Sequence, residues 1–273
     1  MAFGSYRKKL IKVTRERIEK ETLSKEILGE VKRHSVDIYP WGTAYILANN
    51  LNWKPRPVFQ SYAAYTPWLD EANYNFFKSN NSPSYIIWIT KGTDIARLPT
   101  GSIDERYLLN DEPKTIHKIL DSYEPLFYEE KAVLLKRKEA PTFSRPNELP
   151  GEIHTFDKWI GVPILRNGVV KAKIEFRRAL SGKIKRLLYK EKEVFIEYKL
   201  KGGSIIKHRL VVDNAISGIW VHPYMTDVPP ALKSRDATGK RGKAVSHIKI
   251  SCQEKENFEP HFIVNWVEYI ILQ

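Results

Sequence analysis

The stretch at 36–69 reads VDIYPWGTAYILANNLNWKPRPVFQSYAAYTPWL. It holds three of the chain's seven tryptophans, Trp41, Trp53 and Trp68, with Tyr39, Tyr45, Phe59, Tyr62 and Tyr65 between them. Pro40, Pro55, Pro57 and Pro67 punctuate it. Rings and prolines at this density, in a segment this polar, need a wall to pack against or a ligand to stack on. Residues 36–40 predict a short strand with alternating inward positions, ended by Pro40. Residues 41–51 predict a helix closed by Asn49 and Asn50. A proline-bounded turn at 52–57 leads to a second predicted strand at 58–62. Thr66 then has the chemistry of a helix N-cap, with Pro67 at the first helical position and Asp70 and Glu71 in the first turn. That helix is predicted to run to the polar loop at 79–83.

Working outward, SYIIWIT at 84–90 is apolar nearly throughout and predicts a central strand. Residues 95–110 have little period. Pro113 opens a helix through Ile116, Ile119 and Leu120, and a hairpin turns at 129–131 between strands at 125–128 and 132–137. Upstream, 7–34 reads as an amphipathic basic helix, with Thr22 and Ser24 marking a break or a second start. Strands and helices alternate over 36–140, which implies an α/β layer, with residues 1–35 as its helical lead-in.

Residues 138–152, KEAPTFSRPNELPGE, hold three prolines and no period, and mark a boundary or crossover. Beyond it short strands recur at 169–176, 194–200, 205–212, 218–221, 244–251 and 262–271. The KGGS turn at 201–204 joins two of them as a hairpin. Residues 180–189 read as one short basic helix and 236–243 as a loop. This spacing suits an antiparallel β-sandwich of seven or eight strands over 152–273. The expected fold is therefore α+β, an N-terminal α/β layer followed by a C-terminal β-sandwich.

Composition sets outer limits. A hydrophobic share of 42% over 273 residues is that of a globular chain able to build a core. The single cysteine, Cys252, excludes an internal disulfide. A net charge of +13 favours encounter with anionic partners such as membrane surfaces, acidic glycans or nucleic acid. No run approaches the ~18–20 apolar residues of a spanning helix, and no secretory leader is visible. The chain reads equally as a complete protein, which would sit in the cytoplasm, or as the soluble piece of a longer one.

Several residue sets carry chemistry. Asp37 falls at a strand end, where α/β layers meet ligands. Gln60 and Tyr62 offer hydrogen bonds to a sugar, while Trp41, Trp53 and Trp68 offer flat faces for stacking. The bland alternative for these residues is a turn bond for Asp37 and a packed core for the rings. Asp104, Glu105, Asp111 and Glu112 lie close together. Paired-acid hydrolysis would need them face to face across a cleft, whereas service at a helix N-terminus needs only their position. The seven histidines never fall at HxxxH spacing, and one thiol cannot build a cysteine site, so no metal centre is expected. Cys252 and His247 are the one thiol–imidazole pairing, and Cys252 sits in an alternating strand as a small core residue would. No phosphate loop, dinucleotide fingerprint or nucleophile elbow occurs, and no cofactor is called for. Basic runs at 177–178, 183–186, 190–192 and 240–243 lie in the opposite half from most of the rings, which ranks nucleic acid last among the partners.

The segments VDIYPW (36–41), NNLNWKPRPVFQSYAAYTPWLDEAN (49–73), SYIIW (84–88), NDEPKTIHKILDSYEP (110–125), VVDNAISGIWVHP (211–223) and NWVEY (265–269) together resemble the soluble region of a group of bacterial multi-span membrane proteins. Those proteins look like the large membrane glycosyltransferases that use lipid-linked sugars, with a soluble region following the spans. The resemblance covers residues 36–273 in order. It implies a non-catalytic, extracytoplasmic module that binds glycan or holds a membrane-protein partner. The second reading, from the residues alone, is a soluble carbohydrate-active enzyme with its site in 36–69. The third is a protein that binds nucleic acid or another anionic surface.

Overall fold

In the computed structural model the chain is a mixed α and β protein, 30% helix and 35% strand, with several antiparallel sheets. The structure describes residues 2–90, 100–188, 193–227 and 242–272. Most of the loop expected at 236–243 and the start of the 95–110 segment lie outside them.

The first half is built on a four-stranded sheet. Its strands are β1 (Val36–Tyr39), β2 (Tyr85–Ile89), β3 (Tyr123–Tyr128) and β4 (Ala132–Arg137), in the order β1-β2-β4-β3. β1 and β2 are parallel, and the β3–β4 hairpin completes the sheet antiparallel. Helices α1 (Ala2–Glu19), α2 (Lys25–Val31), α3 (Ala44–Asn49), α4 (Pro67–Lys78) and α5 (Pro113–Ser122) surround it. Side-chain period assigns the two faces. Ile38, Tyr85, Ile87, Ile89 and Leu134 pack with Ile27, Val31 and Tyr45 in one apolar cluster. Tyr39, Ile86, Trp88, Val133 and Leu135 pack with Phe77, Ile116 and Ile119 in the other. With apolar clusters on both faces, β1 is buried at all four positions instead of alternating as its sequence suggests.

Local signals explain the helix ends. The helical stretch at 7–34 is two helices, divided at the break offered by Thr22 and Ser24, and Ser24 caps the second by accepting from the Ile27 amide. Asn50 adopts a left-handed conformation to close α3. Thr66 Oγ1 accepts from the Leu69 amide and Pro67 opens α4. The strand expected at 58–62 does not form; residues Ser61–Ala63 make a 3-10 turn instead. The side-chain amide of Asn73 replaces a strand partner there. Its oxygen accepts from Val58 N at 2.8 Å and its nitrogen donates to Val58 O at 2.9 Å.

The second half adds β5 (Asn147–Glu148), β6 (Glu152–Thr155), β7 (Trp159–Gly161), β8 (Gly168–Glu175), α6 (Leu180–Leu188), β9 (Val194–Leu200), β10 (Ile205–Leu210), β11 (Ile219–His222), β12 (Val245–Cys252) and β13 (His261–Ile270). They form two antiparallel sheets. One has the order β10-β9-β12-β7; the other runs β11-β8-β13-β5, with β6 also on β13. β9 alternates buried and half-buried positions without a break, and Cys252 ends β12 at 7% exposure in the core. One continuous apolar cluster reaches from Tyr39 and Ile116 in the first half to Ile196, Trp220, Ile248 and Trp266 in the second. Among the described residues no helix is long and apolar enough to cross a membrane.

Candidate functional site

The polar residues of 36–73 converge on one arginine. Arg56 is 1% exposed. Its Nη1 donates to Asp37 Oδ2 at 2.7 Å and to Ile38 O at 2.8 Å, and its Nη2 donates to Pro40 O at 2.5 Å and Phe59 O at 2.8 Å. A guanidinium presents several donors in a rigid plane, so one side chain ties β1 to the loop that returns from it. Burial pulls the guanidinium toward neutrality, and the Asp37 carboxylate, with Glu112 nearby, more than offsets that. Burial also lifts the Asp37 carboxyl above its ordinary value, and Arg56 pulls it back.

Glu112 sits at 0% exposure, its Oε1 4.0 Å from Arg56 Nε, and its Oε2 accepts from Asn73 at 2.7 Å. Burial pushes its carboxyl up to about 8, against the pull of Arg56. Burial raises neighbouring Asp111 to about 7, although the Ser102 hydroxyl donates to it and Arg106 lies nearby. The expectation that Asp111 and Glu112 serve the start of α5 is corrected here: the position before Pro113 makes no side-chain cap bond. Asp70 of α4 does that work, accepting from Lys114 N at 3.0 Å and Thr115 N at 2.9 Å. Asp104 is exposed and pairs with Arg209 at 2.8 Å, and Arg106 lies between it and buried Asp111, at 3.7 Å and 3.9 Å.

The recognisable segments of the second half dock onto the same ground. Asn214 Nδ2 donates to Ala64 O at 2.6 Å and to Asp111 O at 2.5 Å. Asn110 donates to Tyr198 Oη at 2.8 Å and accepts from Trp220 N at 2.7 Å. Lys171 of β8 donates to Pro113 O at 2.9 Å, and burial lowers its ammonium to about 7. Gly218, with φ +89°, closes the 3-10 turn Asp213–Ser217 in a left-handed conformation and so aims β11 back at the junction. NDEP and VVDNAISGIW therefore meet in a closed polar junction.

The six residues expected to bind ligand separate by depth. Asp37 lies inside, with Oδ1 accepting from Trp53 Nε1 at 3.2 Å and Oδ2 held by Arg56. Trp41 is buried, with Tyr62 edge-on at 5.4 Å. Trp53 is half-buried, with Phe59 edge-on at 5.9 Å. Gln60 and Tyr62 are half-buried, and Tyr62 O accepts from Arg106 at 3.2 Å. Trp68 is 76% exposed. Immediately before it, Thr66 and Pro67 line a cleft of about 330 Å3 whose other wall includes Phe176, Arg178, Asp213 and Ile216. Arg178 and Asp213 pair there at 2.9 Å. The cleft thus combines apolar walls, a hydroxyl, an ion pair and adjacent rings at the meeting of two halves, a common setting for ligand sites. Arg56 was not singled out from sequence, and Arg178, Asp213 and Ile216 were named only within a basic run or a quoted segment, not as a ligand wall. The cue for Arg56 was a lone arginine between prolines in an aromatic stretch beside an aspartate. Nothing local marks Phe176 or Ile216.

No family model, no curated protein and no solved structure matches this chain.

Proposed function

We propose that this chain is a non-catalytic, extracytoplasmic recognition module of a membrane glycosyltransferase-like system, binding a glycan or a partner protein at the cleft beside Trp68. The membrane-system part of this reading rests on the resemblance of the six segments. The observation that supports a binding role is the contrast within 36–73. Asp37, Arg56, Asp70 and Asn73 are occupied with other side chains and with backbone, while Trp68, Tyr65 and Phe59 are exposed and an open cleft is lined by Thr66 and Pro67, the residues just before Trp68 in the chain. Exposed aromatic faces with nearby hydrogen-bonding groups are what sugars and peptide anchors both use. Gln60, Tyr62 and the exposed part of Trp53 are read as the flank of this surface. In the same reading residues 36–140 are an α/β layer domain, 152–273 a β-sandwich packed against it, and 138–152 the crossover.

The test is binding of the chain to a glycan array and to membrane-protein extracts, compared with Trp68→Ala and Ile216→Ser. Loss of binding by both variants, with unchanged circular dichroism, supports the cleft. Binding that survives both substitutions defeats it. A second reading, a carbohydrate-active enzyme, has one observation in its favour: two adjacent acids, Asp111 and Glu112, raised by burial to about 7 and about 8. Turnover of an oligosaccharide that is abolished by Asp111→Asn would select it over the binding module.

A further inference from the structure

A groove of about 700 Å3 opens at the far end of α4 from Thr66, about 18 Å away by helix rise. Phe77 forms part of its lining, together with the end of β4, the start of β2, and residues of α2 and α5. Its charge is one-sided. Lys78, Lys118, Lys136, Arg137 and Lys138 face two carboxylates, Glu30 and Glu139, which leaves a net of three positive charges. The groove lies near the C-terminal ends of α2, α4 and α5. Each such end contributes at most about half a negative charge. Three of them remove about one and a half, so the groove stays positive, and capping helix dipoles does not use up its cations.

The pairings leave capacity for a ligand. Lys136 lies 3.4 Å from Glu30, and Lys118 lies 3.2 Å from Asp121. Arg137 donates one bond to Ser79 O at 3.3 Å. Among the described residues no carboxylate pairs with Lys78 or Arg137. Glu30 is itself ionised, because the Tyr85 hydroxyl donates to it at 2.5 Å and holds its carboxyl below the ordinary value. Ser84 and Ser122 add hydroxyls to the lining. Arginine and lysine around hydroxyls are the donors that phosphate oxygens take. The volume lies in the range of about 300–1,000 Å3 that holds a whole small molecule, more than a single phosphate needs.

We propose that this groove binds a diphosphate group, free or as the headgroup of an ester, with Lys78, Lys136 and Arg137 as its principal cations. The site is separate from the cleft at Trp68 and does not depend on that reading.

The test is calorimetric titration of the whole chain with inorganic diphosphate at low ionic strength. One-to-one binding is expected. Lys78→Gln with Arg137→Gln should weaken it about tenfold. Glu30→Gln, which removes a repelling charge, should tighten it about threefold. Both variants are judged folded by circular dichroism. A general salt-like attraction to a basic surface would leave the double variant close to wild type. That outcome, or no diphosphate binding by the wild type, or no tightening in Glu30→Gln, overturns the proposal. Sedimentation with vesicles carrying a prenyl diphosphate, displaced by free diphosphate and reduced in the double variant, would assign the group to a lipid headgroup. Diphosphate binding without vesicle binding would assign it to a soluble ester. Either result supports the site.

Discussion

Arg56 is the residue on which the first half depends. Removing it leaves Asp37 as an uncompensated buried charge and takes a donor from three carbonyls, of which Pro40 O keeps the Ser61 amide. Breaking a buried pair in this way costs about 3–5 kcal/mol. Arg56→Met should therefore lower the urea midpoint severely, and adding Asp37→Asn should restore a measurable part. Glu112 makes a prediction of a different kind. Its carboxyl titrates near 8 in the folded chain against an ordinary 4.5. Between those values the folded state keeps a proton that the unfolded state has released. The group's contribution to stability is therefore full below pH 4.5 and is lost as pH rises through about 8. Glu112→Gln should flatten this slope in denaturation curves taken from pH 4.5 to 8, with its largest gain over wild type at the alkaline end. An unchanged slope would mean that Glu112 is ionised in the folded state. The role of Glu112 could not be read from sequence, because its partners Arg56 and Asn73 lie far along the chain; Arg56 has its hydrogen-bond partners within 19 residues, and only its burial was hidden.

At the scale of elements, α4 shows which signals were legible. Thr66 and Pro67 announce its start because capping is settled within three residues of chain. Thr66→Ala should cost about 1 kcal/mol of stability. The apolar run at 84–90 likewise announces β2, and the GG turn announces the β9–β10 hairpin. The segment at 58–62 misleads because its strand-like alternation is satisfied by Asn73, a side chain on the next helix. Asp70 is hidden for the same reason: it looks like a first-turn acid of its own helix and instead caps α5. Asp70→Ala should cost about 2–3 kcal/mol, because the Lys114 and Thr115 amides lose their acceptor in a buried place. Asp70→Asn, which keeps one acceptor, should cost less. Thermal melts of the two variants side by side would check the order. Equal losses would mean that α5 is held by packing alone.

Across the whole molecule, the two halves are joined by polar bonds as much as by apolar contact. Asn110, Asn214 and Lys171 each carry a bond from one half to the other. Asn110→Ala would strand the Trp220 amide and remove the donor to the Tyr198 hydroxyl, which keeps its own bond to Trp220 O, at about 1–3 kcal/mol. Its denaturation, followed by tryptophan fluorescence and by far-ultraviolet dichroism, should lose the coincidence between probes that the wild type is expected to show. Coincident curves in the variant would mean that the apolar cluster alone couples the halves. In the second half β9 was readable because it alternates along its own length. The junction was not, because its bonds join residues 58 to 150 positions apart. The short strands β5, β6 and β7 were missed for a related reason: runs of two to four residues have no period, and pairing with β13 and β12 defines them.

Cys252 gives this coupling a clock. It is the chain's only thiol, and it lies within the shared apolar cluster at the end of β12. A thiol reagent can reach it only when that part of the molecule opens, so the modification rate counts openings under native conditions, without denaturant. In the wild type the rate should follow the free energy of opening the joined halves. In Asn110→Ala it should rise before any loss of folded signal is visible, which would time how often the second half comes loose from the first.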